Sequence, residues 1–172
     1  MKRLAFLVIA ASTLVASVAA RASGSMSMSA VGAGPSGYDW LVGTWSCKNT
    51  MPPSKLGALQ SSTFTAAKLK DGNIVIHTMS PNGDVTGYNA YDPKSKTWYG
   101  PFTDSGGYYG TESTQQSGKT ILWTGTFYSG GGQATPIRDT FTMLSMTQQY
   151  DLSEAHIGGV WKATAKTTCT KS

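Results

Sequence analysis

The sequence predicts an all-β protein, an antiparallel up-and-down barrel of about eight to ten strands carrying one disulfide. Three observations lead there. Past residue 43 no window carries an apolar stripe at helical spacing, while Thr, Val, Ile, Tyr, Trp and Phe recur in short runs. Gly, Pro, Asn and Asp punctuate those runs at short intervals. The only two cysteines, Cys47 and Cys169, stand near opposite ends of the folded part.

The N-terminal segment fixes the compartment to expect. Lys2 and Arg3 precede an apolar run over residues 4–15, and the small residues 16–20 follow, which is the pattern of a secretory signal peptide spanning 1–20. Cleavage is expected after Ala20, with Ala22 the second choice. The run is too short for an ordinary membrane span, and no cysteine follows the cleavage site to carry a lipid, so the expected product is soluble and periplasmic or secreted. Cleavage takes the formal charge from +5 to +3 by removing Lys2 and Arg3, and the remaining lysines are scattered, so no nucleic-acid partner is indicated. Residues 21–37 are rich in Gly, Ser and Ala with no apolar period, and read as a flexible tail. The barrel domain is then 38–172.

Within that domain a short helical turn at Tyr38-Asp39-Trp40-Leu41 is expected to lead into the first strand. Strands are expected at 43–49, 60–69, 73–80, 84–92, 96–103, 107–114, 119–128, 135–144, 146–151 and 159–170. The links between them carry turn chemistry: Lys70-Asp71-Gly72-Asn73, Ser80-Pro81-Asn82-Gly83, Asp92-Pro93-Lys94-Ser95, Gln116-Ser117-Gly118-Lys119 and Ser129-Gly130-Gly131-Gly132. Residues 154–159 read as a turn before the last strand. Such short links make hairpins of sequence neighbours, and closing the meander removes its two raw edges.

In an oxidising compartment Cys47 and Cys169 are expected to pair, tying the first strand to the last. No C-x-x-C and no neighbouring histidine point to redox or metal chemistry instead. Strand parity then places Trp45 and Cys47 on one face with Trp161, Ala163, Ala165, Thr167 and Cys169, leaving Lys162, Thr164, Lys166 and Thr168 to water. The inside is predicted to be the Trp face. An outer-membrane barrel would turn apolar residues outward on every strand and end in an aromatic; this chain ends Thr170-Lys171-Ser172, so membrane insertion after cleavage is not expected.

Leu41-Val42-Gly43-Thr44-Trp45 contains a Gly-x-Trp on the first strand, which resembles the opening of lipocalin-like (calycin) barrels. A longer pattern looks like a family of secreted bacterial domains of unknown function and covers nearly the whole mature chain. It comprises Tyr91-Asp92-Pro93 with Trp98, Asp104 with a glycine pair, Trp123-Thr124-Gly125, Arg138-Asp139-Thr140, and Gly159-Val160-Trp161 with a late cysteine. The resemblance implies a lipocalin-like barrel and carries no activity with it. Nitrobindin-type haem barrels also open on Gly-x-Trp. Here the motif runs on as Ser46-Cys47-Lys48-Asn49 rather than further glycines, and the late histidine is His156, in a segment that reads as a turn.

The sequence offers no catalytic constellation. His77 and His156 are far apart and unpaired in spacing, so no metal or cofactor is indicated. There is no Gly-x-Ser-x-Gly. Asp104 and Glu112 flank the Gly106-Gly107-Tyr108-Tyr109-Gly110 segment and read as a solvated rim, though such a pair can do acid and base work on a sugar. Arg138 reads either as a cation for a ligand carboxylate in the barrel mouth or as a packing arginine laid across an indole. The aromatics Trp45, Trp98, Trp123, Trp161, Tyr88, Tyr108 and Tyr109 can line a pocket or fill a core. Trp45, Trp123, Trp161, Arg138, His77 and Tyr88 are therefore the candidate ligand-binding set. Three functions stay open: a non-catalytic barrel for a small, partly apolar ligand, a filled barrel acting as an envelope interaction or inhibitor module, and an enzyme using His77 or Glu112. The sequence does not set the oligomeric state.

Overall fold

The structure, a computed structural model, describes residues 37–51, 61–81 and 83–172. The expected signal peptide, nearly all of the expected tail and the link over residues 52–60 lie outside the described residues. A 3-10 turn, Asp39–Leu41, precedes ten strands: β1 Gly43–Asn49, β2 Ser61–Lys68, β3 Ile74–Met79, β4 Val85–Asp92, β5 Thr97–Asp104, β6 Tyr109–Thr114, β7 Thr120–Tyr128, β8 Ala134–Ser145, β9 Gln148–Ile157 and β10 Val160–Lys171. Each strand pairs antiparallel with its sequence neighbours, and β1 pairs with β10, so the sheet is a closed up-and-down barrel.

Alternation supplies the interior. Trp45 and Cys47 on β1, Trp98 on β5, Ile121, Trp123 and Phe127 on β7, and Ile137 and Met143 on β8 are buried, and their strand neighbours mostly face out. Cys47 and Cys169 face each other across the β1–β10 ladder and form the expected disulfide, closing the barrel seam covalently.

Two apolar clusters fill the ends. In one, the 3-10 turn folds under the barrel and its Trp40 and Leu41 join Tyr38, Trp45, Trp98, Trp123, Ile121 and Met143. Tyr38 meets Trp98 edge-on at 4.7 Å, and Trp45 stacks on Phe64 at 5.8 Å while its Nε1 donates to the Leu41 carbonyl at 2.7 Å. Lys171 Nζ lies 5.0 Å over the Trp45 ring and donates to the Trp40 carbonyl, so the cation on the Gly-x-Trp indole comes from the last strand. The second cluster, Val85, Phe102, Phe127, Ile137 and Ala155, packs toward the other end.

Three expectations are corrected. Residues 154–157 belong to β9, and the turn to β10 is made by Gly158 and Gly159, both with positive φ. His156 is thus a strand residue. Trp161 does not share the face of Cys169: the β9–β10 register shifts between Ala163 and Ala165, and the extra residue, Thr164, reverses parity. Beyond the bulge, Trp161 pairs with His156 and Ala163 with Glu154, which puts Trp161 on the outer wall at 39% exposure. Glu112, read as a solvated rim residue, points into the barrel.

Candidate functional site

Between the two apolar clusters the interior turns polar, and β9 is the cause. Its inward positions are Gln149, Asp151, Ser153 and Ala155, all buried, so this strand presents an amide, a carboxyl and a hydroxyl to the interior, beside the buried Asp139 of β8. Across the barrel, β6 directs Glu112 inward and β4 directs Asn89 inward.

Small residues make room for these groups. Gly87, Gly100 and Gly125 occupy inward positions on β4, β5 and β7. A Cβ on Gly100 would press on Asn89 Oδ1 at 3.1 Å and on the Trp123 ring at 3.2 Å. At Gly125, opposite Glu112, a Cβ would fall 1.9 Å from the Thr111 carbonyl oxygen and 2.7 Å from the Glu112 Cα. The bare backbone of β7 lets the Glu112 side chain reach Asp139, which sits on β8 opposite Trp123.

The result is a partly enclosed cavity of about 80 Å³, room for roughly five to eight waters. Its apolar wall includes Phe64, Ile76, Phe102, Trp123, Phe141 and the disulfide; its polar wall includes Asn49, Asn89, Glu112, Gln149 and Asp151. Among the described residues no Lys, Arg or His lines it.

Burial governs the ionisation of these carboxyls. It pushes Glu112 well up, and the neighbouring charge and hydrogen bond of Asp139 push it further. Asp151 is raised well above the ordinary carboxylate range by burial and then by Asp139. Asp139 is raised by burial too, with its hydrogen-bonding interactions with Glu112 and Ser153 opposing the shift, so Glu112 and Asp139 titrate as a pair. Four buried polar atoms on the cavity wall have no hydrogen-bond partner among the described residues: Glu112 Oε1, Gln149 Oε1, Asp151 Oδ1 and Asn49 Nδ2. Asp151 Oδ2, by contrast, accepts from Ser153 Oγ at 3.4 Å.

Of the candidate set read from sequence, only Trp123 lines this cavity. Trp45 is fully buried in the end cluster. Arg138 lies on the outer wall, bound to Glu154 at 2.6 Å and laid 4.4 Å over the Trp161 ring, which is the packing alternative realised outside the barrel. His77 alternates outward from Ile76 and Thr78; burial of its imidazole lowers it to about 4 against the attraction of Asp84. Tyr88 also faces outward and accepts a 2.8 Å hydrogen bond from Asn73 Nδ2. Asp104 and Glu112 do not converge: Asp104 Oδ1 caps the β5–β6 turn by accepting from the backbone amides of Gly106 and Tyr108. Gln149 and Asp151 were missed because period-two reasoning assigns polar residues to the outside.

Among the described residues no group of three His, Cys, Asp or Glu side chains converges to hold a metal ion, and no helix is long and apolar enough to cross a membrane. Compared with protein-family models and with curated proteins, the chain matches none. What the fold defines is therefore a class: a closed antiparallel ten-stranded β-barrel with a disulfide seam and an internal polar-sided cavity.

Proposed function

We propose that this protein is a non-catalytic binding barrel, exported through its signal peptide, that holds one small, partly apolar molecule in its interior. The observation that carries this reading is a cavity wall that combines unpartnered polar atoms with aromatic side chains. A barrel that served only as a filled scaffold would gain stability by replacing those groups with hydrocarbon, since an unsatisfied buried polar group costs about 1–3 kcal/mol. Ligand sites combine apolar walls with a few convergent polar groups in this manner. The Gly-x-Trp opening, on a strand whose indole is sealed by the 3-10 turn, supports the lipocalin-like reading of the barrel.

Native mass spectrometry with an absorption spectrum, on mature protein purified from a periplasm without added ligand, tests the proposal. A reproducible extra mass that is lost on denaturation is the expected result. A bare mass of the chain less two hydrogens, together with no saturable binding of small amphiphiles, overturns it in favour of an interaction module.

A further inference from the structure

The ligand's chemistry is written in the imbalance of the cavity wall. Three of the four unpartnered atoms, Glu112 Oε1, Gln149 Oε1 and Asp151 Oδ1, are oxygens, and only Asn49 Nδ2 is a committed donor. Gln149 is 1% exposed, so its amide oxygen has no solvent to turn to. Both ionisable groups on the wall are acids. The same wall carries Phe64, Phe102, Phe141 and Trp123, Phe141 as the cross-strand neighbour of Asp151, and aromatic π clouds attract positive charge. Among the described residues an anionic ligand would meet two carboxyls and no cation. A metal ion finds no group of three acidic, imidazole or thiol ligands among the described residues.

Resting on the binding-barrel reading, we infer that the cavity takes a small organic cation, an ammonium group on a short apolar body. Its N–H donors go to Glu112, Gln149 and Asp151, and its hydrocarbon goes against the aromatic wall. The cavity admits a head group and a chain of only a few carbons.

The electrostatics then follow from linkage. In the empty barrel burial favours the protonated forms of Asp151 and Glu112. An incoming cation favours the ionised form and displaces a proton, so affinity rises with pH through the range in which these carboxyls titrate. Among the described residues the ionisable groups that face Asp151 are Glu112 on β6 and Asp139 on β8, and no basic side chain lines the cavity to oppose the effect.

The test is a titration of the mature chain with n-butylamine, 1-butanol and butyrate, followed by Trp fluorescence and by amide NMR shifts, at pH 5.5 and pH 8. Expected is butylamine at least about ten-fold tighter than the other two, tightening with pH although the amine stays protonated, with proton release in calorimetry. Asp151→Asn, isosteric and free of the desolvated charge, should lose about ten-fold for butylamine, show no pH dependence from that site, and bind butanol unchanged. Butanol or butyrate binding as tightly as the amine overturns the cationic class and leaves the binding barrel standing. No saturable shift with any of the three overturns both. If Asp151→Asn keeps full amine affinity in a folded barrel, the head group is not held where the inference puts it.

Discussion

Glu112 on β6 and Asp139 on β8 stand two strands apart and interact past Gly125, the β7 residue paired with Glu112, where an added Cβ would collide with the Thr111 carbonyl and the Glu112 Cα. The pair explains why two acids tolerate the interior of a barrel: neither is a lone buried charge. It also ties β6, β7 and β8 into one structural unit at the level of the cavity.

Gly125→Ala tests that arrangement. Gly125 has no positive φ, so alanine meets no backbone penalty, only the collision with the Thr111 carbonyl and the Glu112 backbone. Overpacking of this kind costs about 1–3 kcal/mol or more, and a thermal melt should show a drop of roughly 5–15 °C. Gly118→Ala makes an informative contrast: a Cβ there meets nothing within 4 Å, and its positive φ gives a backbone penalty alone. Equal melting temperatures for Gly125→Ala and the parent would mean that β6 and β7 do not approach as described.

The acids also set a pH dependence whose sign can be worked out. Glu112, Asp139 and Asp151 all have folded-state values raised above the unfolded ones. The native state then binds more protons than the unfolded state above the ordinary carboxylate range, so these groups favour folding at low pH and their contribution declines as pH rises. Asp151→Asn removes one of them. Its denaturation midpoint should lie close to the parent's at pH 4 and above it at pH 7.5, by roughly 1–3 kcal/mol once the buried acid would be ionised. A gap that narrows with pH would show that Asp151 is held ionised in the native state.

Much of this was legible in the sequence, and what was not has a common cause. Nine of the ten expected strands fall within about two residues of those observed, because Gly and Asn turns bound runs of β-formers. The disulfide partner was forced by cysteine number, and parity put Trp45 and Cys47 inside. Parity failed wherever the interior is polar or the register breaks. On β9 the inward residues are Gln149, Asp151 and Ser153 while Tyr150 and Leu152 lie outward of them, so the pattern argues for the wrong face and hides the strand's second half. On β10 a single inserted Thr164 turned Trp161 outward, and no period-two count registers a bulge. Glu112 was visible as a residue but not as an interior one, since its place depends on Gly125 across the ladder.

The disulfide joins strands at the only place where the barrel closes between non-neighbouring segments of the chain. Cys47 and Cys169 are 122 residues apart, and the chain-entropy model gives on the order of 4–5 kcal/mol for such a loop. Replacing both cysteines by Ser should lower the urea midpoint by that amount divided by the m-value. Amide exchange should quicken first along β1 and β10, whose mutual ladder then rests on hydrogen bonds alone. Uniform loss of protection across all ten strands, or no loss of stability, would show that the seam is not where the barrel opens.

The face assignment of the tryptophans can be read in a single optical experiment. Trp40, Trp45, Trp98 and Trp123 are each 5% exposed or less, whereas Trp161 is 39% exposed under the Arg138 guanidinium. Acrylamide should therefore quench one component of the fluorescence, and Trp161→Phe should abolish that component while leaving the rest. The substitution keeps an aromatic ring beneath Arg138, and an exposed cation–π contact is worth about 0.5–1 kcal/mol, so stability should fall by less than that and butylamine binding should not change. Trp123→Phe should do the reverse: quenching stays, and binding weakens because the cavity wall has lost part of its indole. If Trp161→Phe instead leaves the quenchable component in place, the bulge at Thr164 does not turn that side chain outward and Trp161 belongs with Trp45 inside the barrel.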